Sequence, residues 1–387
     1  MNVDAKNRAT AKLGLYVHWP YCARICPYCD FNVRRDRGQD TDFLVEAMVA
    51  DIHGWHGRLD TPKPLSSISF GGGTPSRLTA QQLREILAAA ETSFGFAPAI
   101  EISLEANPTD QHDERYGQFA ALGVNRLSLG IQSLDDHELM FLGRDHTTQS
   151  ALAALEMAQQ KFAVVSADFI YGLPEQTVGT WHTSLDKIVG LGLDHLSLYC
   201  LTIEPGTAFA KQQQRGQLHV PNDDKTADLY ACTQELTTAG GLPAYEISNH
   251  CRTKALRSAH NLLYWQGDDW IGIGPGAHGR VQIGGSRQAI PNHRNPKQYA
   301  QAVQQTGWGV ITPETLSPSD DLAERLMLGL RLTHGIDLDV MQMRAGCTLD
   351  ASRLQQACAD RQIGLSGTVL QTRSPLLVDR IAFLLLV

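Results

Sequence analysis

Two hydrophobic periods alternate through the first 200 residues, and this pattern constrains the fold more than any other feature. Short apolar runs at 13–19, 67–70, 100–104, 126–131, 164–170 and 195–201 read as strands. Between them, 42–52, 80–90 and 150–161 space apolar residues three and four apart, as a helix with one buried face does. Six strands alternating with helical stretches predict a parallel sheet with helical crossovers, either open and doubly wound or curled into a barrel. Such sheets bind ligands at the carboxyl ends of their strands. The residues that follow each strand therefore carry the functional information.

Those residues are chemically distinctive. Strand one is followed by Cys22, Cys26 and Cys29 in C-x3-C-x2-C spacing, and strand two by Gly71-Gly72-Gly73-Thr74-Pro75-Ser76. Strand three ends in Glu105, strand four in Gln132 and strand five in Asp168, while strand six carries Tyr199 and Cys200. Thiolates are soft ligands that select zinc, copper or iron–sulfur clusters. A structural zinc site takes four protein ligands, which His18 or Asp30 could complete. Three cysteines on a cubane cluster would instead leave one iron open to an exchangeable ligand. Cys200, Cys232, Cys251, Cys347 and Cys358 are scattered and read as small buried hydrophobes.

Composition narrows the class further. With 43% hydrophobic and 19% charged residues the chain can bury a real core. Lys and Arg minus Asp and Glu gives 33 − 41 = −8, and no basic tract could track a phosphate backbone, so nucleic acid is not an expected partner. The longest apolar run, 381–387, is far short of the roughly 20 residues of a membrane span. Residues 1–12 are polar and lack the apolar centre of a signal peptide, so a cytoplasmic location is expected.

Beyond residue 204 the pattern changes. A helix is expected over 224–239, 240–284 is rich in Gly, Trp and Tyr, and 287–316 is looser. From 319 a helical pattern begins, with Asp320 and Asp321 suited to its first turn. The expected organisation is a tail at 1–12, a main unit at 13–285, a linker at 286–316 and a C-terminal domain at 317–387. Gly274-Pro275-Gly276-Ala277-His278-Gly279 formally matches a dinucleotide fingerprint, but the next residues are not helical and no acid stands between 279 and 314.

The motif YVHWPYCARICPYCDF closely resembles the cluster motif of radical S-adenosylmethionine (SAM) proteins. Together with GGGTPS, EANP, LGIQS, LGRDH, DFIYGLPEQ, YEISN, HNLLYW and GIGPGAHG, it resembles the anaerobic coproporphyrinogen-III oxidase family over nearly the whole chain. The resemblance implies an α/β fold, a partial (β/α)6 barrel with a smaller, mostly helical C-terminal domain. It also implies a 4Fe–4S cluster on Cys22, Cys26 and Cys29, with SAM on the open iron. Oxidases of the family carry C-x3-C-x2-C-x-C and a longer N-terminal segment. Here position 31 is Phe31, and about a dozen residues precede the first strand. These features, with His260-Asn261-Leu262-Leu263-Tyr264-Trp265, resemble the family's heme chaperone branch.

By this resemblance Tyr16 lies beside SAM, as do Gly72, Gly73, Thr74, Glu105, Gln132, Arg144 and Asp168. Backbone without Cβ can approach a ligand closely. A carboxylate suits ribose hydroxyls or an ammonium, and the planar fork of Arg144 suits the methionyl carboxylate. His260 is the expected heme ligand and His278 a second candidate, since neutral imidazole ligates heme iron. The implied partners are heme, a heme-accepting protein and an electron donor for the cluster, with peripheral contact to membrane-bound acceptors. The alternative is an enzyme, an oxygen-independent coproporphyrinogen-III oxidase that uses SAM radical chemistry.

Overall fold

A computed structural model describes residues 11–110 and 113–386. The tail expected over 1–12 lies outside the described residues except for its last two. The six expected strands form as β1 (Leu13–Trp19), β2 (Leu65–Gly72), β3 (Phe96–Ala106), β4 (Arg126–Gln132), β5 (Val164–Tyr171) and β6 (His195–Cys200). Neighbours in this series pair in parallel throughout. Their crossovers are α1 (Asp42–Trp55), α2 (Ala80–Phe94), α3 (Asp113–Ala121), the pair α4 (Asp136–Phe141) and α5 (Thr148–Lys161), and α6 (Val178–Val189). This is the parallel sheet with helical crossovers expected from the periodicity, in the six-unit β/α order that the resemblance implies for a partial barrel.

Local sequence sets the helix starts. Thr79 accepts the N–H of Gln82 while the Gln82 side chain accepts the N–H of Thr79, so two unpaired donors of the first turn of α2 are satisfied together. Thr147 with Ser150 and Thr177 with Thr180 do the same for α5 and α6. Leu83, Ile86 and Ala90 of α2 are fully buried against the sheet, the face that the spacing predicts.

After β6 come α7 (Ala208–Gln214), α8 (Asp223–Ala239), the short antiparallel strand β7 (Asn249–Cys251) and α9 (Ala259–Trp265). Then β8 (Asp269–Ile273) pairs in parallel with β1 on the side away from β2. Strands β9 (His278–Ile283), β10 (Ser286–Pro291) and β11 (Glu314–Thr315) continue antiparallel, giving one sheet ordered β11-β10-β9-β8-β1-β2-β3-β4-β5-β6-β7. The linker expected at 286–316 is therefore replaced by built structure, including α10 (Pro296–Thr306), which packs on α1. Gly284-Gly285 forms the turn between β9 and β10. Both residues have positive φ, +62° and +76°, as a two-residue hairpin turn requires.

From 318 a second apolar cluster forms, built on Leu322, Leu326, Leu330 and Ile381. It joins α11 (Pro318–Gly329), α12 (Leu338–Ala345), α13 (Ala351–Ala359) and α14 (Val378–Leu386) to a small sheet. In that sheet β14 (Val369–Thr372) lies between β12 (Ile336–Asp337) and β13 (Ile363–Ser366). Asp320 and Asp321 occupy the first turn of α11 as expected. Asp321 is buried between Arg287 of β10 and Arg325 of its own helix, each 2.9 Å away, and so ties this cluster to the main sheet. Among the described residues no helix is long and apolar enough to cross a membrane.

Candidate functional site

A cavity of about 420 Å³ opens at the carboxyl ends of the parallel strands. It brings together Cys22, Cys26, Cys29, Gly72, Gly73, Thr74, Glu105, Gln132, Arg144 and Asp168. Of the expected site residues, Tyr16, His260 and the second heme-ligand candidate His278 lie elsewhere.

The cysteine loop is held on the strand ends by backbone pairing. Gly73 donates to the Trp19 carbonyl at 2.6 Å and Thr74 to the Tyr21 carbonyl at 3.0 Å. A Cβ on Gly73 would stand 2.8 Å from both of those oxygens, so only glycine permits this seam. Farther along, Asp36 donates to the Cys22 carbonyl at 2.7 Å and Phe209 to that of Pro27 at 3.0 Å. Arg77 bridges Asp36 at 2.7 Å and Asp110 at 3.0 Å, tying the loop's exit to the turns that follow β2 and β3. Burial raises the thiol pKa of Cys22 and pushes that of Cys29 up to about 11. Binding a metal there must displace those protons. Among the described residues no three His, Cys, Asp or Glu side chains converge on a single-ion site. A cubane asks for something different, because each of its cysteines holds a separate iron.

Arg144 crosses the cavity. It donates to Cys26 Sγ at 3.3 Å, to Asn107 Oδ1 at 2.5 Å and to the Gly130 carbonyl at 2.8 Å, and its buried Nε has no partner. Beside it the β4–β5 register slips between Gly130 and Gln132, and Gln132 takes φ +74°. A residue with a Cβ adopts that conformation only at a cost, which marks a position under constraint.

Two carboxylates face the same space. Asp168 accepts from Ser128 Oγ at 3.0 and 3.1 Å. Glu105 lines the cavity and is exposed to its open space, with the neighbouring strand ends around it. Burial, and then the neighbouring Asp168, push its pKa up to about 7, against the lowering hydrogen bond from Gly72. Burial pushes Asp168 up to about 6. Bringing a cation between them would relieve both penalties. The donor set therefore fits the implied groups: three thiols for a cluster with one open iron, and carboxylates, Arg144 and glycine backbone for a charged cofactor.

Tyr16 and His260 are placed differently from expectation. Tyr16 lines a second cavity of about 480 Å³, on the other side of β1, with Tyr264, Trp265, Trp270, His278 and Arg294. Its ring still borders Glu105 across Gly71, so it stands between the two spaces. His260 lines neither cavity. It is 2% exposed on α9, with Nδ1 2.9 Å from Ser67 Oγ and Nε2 2.7 Å from the Tyr264 hydroxyl. Burial lowers its pKa to about 3. With both nitrogens engaged, this imidazole is not poised to ligate iron, contrary to the expectation from its motif.

Asn107 and Ser128 carry no individual signal in the sequence, yet both shape the site. Asn107, within the quoted EANP motif, holds Arg144 and also lines the first cavity. Ser128 positions Asp168. Phe31, 60% exposed, lines both cavities. Tyr199 and Cys200 line the first, so Cys200 is not simply a buried core residue.

Comparison with known proteins agrees with this geometry. The Radical SAM superfamily model matches residues 16–188. The chain is 37% identical over 327 residues to radical S-adenosyl methionine domain-containing protein 1, mitochondrial, of Danio rerio, covering 83% of this chain and 73% of that one. It is 35% identical over 379 residues to heme chaperone HemW of Mycobacterium tuberculosis, covering 96% and 94%. The structure of coproporphyrinogen III oxidase HemN from Escherichia coli, a radical SAM enzyme, superposes with a TM-score of 0.80 over 98% of this chain and 92% of that one. Identity there is 23%, so that likeness speaks for the fold. With the cysteine motif seated at the strand ends and identity sustained along both chains, the protein belongs to the radical SAM superfamily, in the family that includes the HemW heme chaperones.

Proposed function

We propose that this chain is a heme chaperone. It holds a SAM-ligated 4Fe–4S cluster in the first cavity, binds heme as cargo and passes it to an acceptor protein. Cys22, Cys26 and Cys29 hold the cluster. Arg144, Glu105 and Asp168 orient SAM, with the backbone of Gly72 and Gly73 close against it. When bound, the cluster and SAM supply one-electron chemistry. The chain's own contribution is to hold and position them.

One observation carries the reading: the cavity that gathers the cysteines and carboxylates is accompanied by a second, aromatic-lined cavity, and Phe31 borders both. Rigid aromatic walls suit a flat macrocycle, and the volume lies within the roughly 300–1,000 Å³ typical of small-molecule sites. Phe31 stands where the oxidase motif resembled by this chain has its fourth cysteine. The kinship with HemW chaperones points the same way.

The test is heme titration of the purified chain, with and without a reconstituted cluster, beside an anaerobic assay for coproporphyrinogen-III consumption. Stoichiometric heme binding without coproporphyrinogen turnover supports the chaperone. Turnover without heme binding would replace it with the oxidase. Transfer of bound heme to a heme-free acceptor is the further step that separates a chaperone from a store.

A further inference from the structure

Three imidazoles surround the second cavity or stand just behind its wall, and their surroundings differ. His18 has Nδ1 3.0 Å from the Tyr16 hydroxyl and Nε2 3.1 Å from the Asn32 carbonyl. His260 is held by Ser67 and Tyr264. His278 is exposed to the cavity, and among the described residues neither of its ring nitrogens has a hydrogen-bond partner.

His278 is nonetheless firmly placed. It begins β9, pairs with Pro291 of β10, and its carbonyl accepts from Trp270 Nε1 at 3.0 Å. Trp270 meets Tyr264 edge to face at 4.8 Å, and Tyr264 meets His260 in the same way at 4.8 Å. The Ser67–His260–Tyr264 chain therefore sets the angle of the aromatic wall rather than offering a ligand. Burial, Arg280 and Arg294 lower the pKa of His278 against a raising effect of Glu314, which favours the neutral, ligating imidazole.

The cavity also holds an available cation. Arg294 is exposed on its rim, and among the described residues its guanidinium makes no ion pair. Its loop is fixed, because Asn32 Nδ2 donates to the Arg294 and Pro275 carbonyls, both at 2.8 Å. Heme presents an iron at its centre and carboxylates at one edge. An imidazole that can reach the centre and a guanidinium at the rim match both features.

We propose that His278 is the axial ligand of heme bound in the second cavity and that Arg294 pairs with a heme carboxylate, with His260 acting as a positioning residue for Tyr264. This rests on the heme-chaperone reading.

The test uses the full chain with its cluster reconstituted, titrated with ferric and ferrous heme. Readouts are the Soret band, the iron–histidine stretch of the ferrous form by resonance Raman, and the dissociation constant. His278→Ala should shift the Soret band, remove the iron–histidine stretch and weaken binding by roughly tenfold or more. Added imidazole should restore the spectrum, which also shows that the variant is folded. Arg294→Gln should weaken binding with the iron–histidine stretch intact, and His260→Ala should keep that stretch. If His278→Ala retains the wild-type spectrum while His260→Ala loses the stretch, the assignment is overturned and His260 is the ligand. An Arg294→Gln variant with unchanged affinity would remove the carboxylate clamp. Absence of heme binding by the wild type would instead defeat the chaperone reading itself, an outcome distinct from a misassigned ligand.

Discussion

Arg144 Nη1 donates to Cys26 Sγ at 3.3 Å across 118 residues of sequence. The loop after β4 thus carries a fixed positive charge onto the cysteine loop after β1. That charge complements the negative sulfur of a cluster-bound cysteine. The same guanidinium reaches Asn107 and Gly130, so it braces three strand ends at once.

Arg144→Lys should therefore keep the charge but lose the fork. Lysine cannot span Cys26, Asn107 and Gly130 together. Iron content should stay near about four per chain after anaerobic reconstitution, while the SAM-induced change in the EPR spectrum of the reduced cluster weakens. A Lys variant with the wild-type SAM response would show that the fork does not orient the cofactor.

The cysteines should behave differently. Cys22→Ala, Cys26→Ala and Cys29→Ala should each abolish a stable cluster, since each thiolate holds its own iron. Iron and sulfide analysis with EPR measures this. Full clusters in all three single variants would remove the loop from the metal site, and zinc uptake without iron would point to a different metal.

Glu105 and Asp168 give a pH signature. Their folded pKa values, about 7 and about 6, lie above the ordinary 4.5 and 3.8. Raised carboxyl pKa values give stability that is complete below the ordinary values and lost as pH rises through the folded ones. Glu105→Gln should thus stabilise the ligand-free chain more at about pH 8 than at about pH 5. Cationic SAM favours the ionised carboxylates, so its affinity should rise as pH increases through about 6 to 7, with proton release on binding. Calorimetry in buffers of different ionisation enthalpy reads that release, and a flat profile would exclude the pair from the site.

Gln132 should show function in conflict with stability. Its φ of +74° costs about 1–2 kcal/mol for a side-chain-bearing residue. Gln132→Gly should raise the unfolding free energy of the ligand-free chain by about 1 kcal/mol, read from denaturant melts, while weakening SAM binding. Loss of stability instead would mean that the amide holds the fold together.

The seam to the C-terminal cluster should be sensitive to charge removal. Asp321→Ala leaves Arg287 and Arg325 buried with a lost partner, a change that typically costs about 3–5 kcal/mol. Replacing all three residues by apolar ones of similar size should cost less than Asp321→Ala alone. Denaturant melts of the two variants compare these directly, and the reverse order would show that the ion network itself supplies the stability.

The sequence by itself determined the six parallel strands, three of the helices between them and which residues meet at the first cavity. Each rests on a local pattern: apolar runs, three- and four-residue spacing, caps such as Thr79 with Gln82, and residues placed where strands end. In a βα sheet a strand end is a fixed place, so reading Cys22–Cys29, Glu105 and Asp168 there amounted to reading their convergence. Only the tertiary structure decided what lies beside β1. Strand β8 pairs with β1 after a gap of about 250 residues, and no local period encodes that pairing. It brings Tyr16, Phe31, Trp270, His278 and Arg294 around one cavity. His260 shows the same limit. Its motif identifies an imidazole, but its surroundings depend on Ser67, which lies 193 residues away and engages its Nδ1, a contact that only the packing of α9 against β2 brings about.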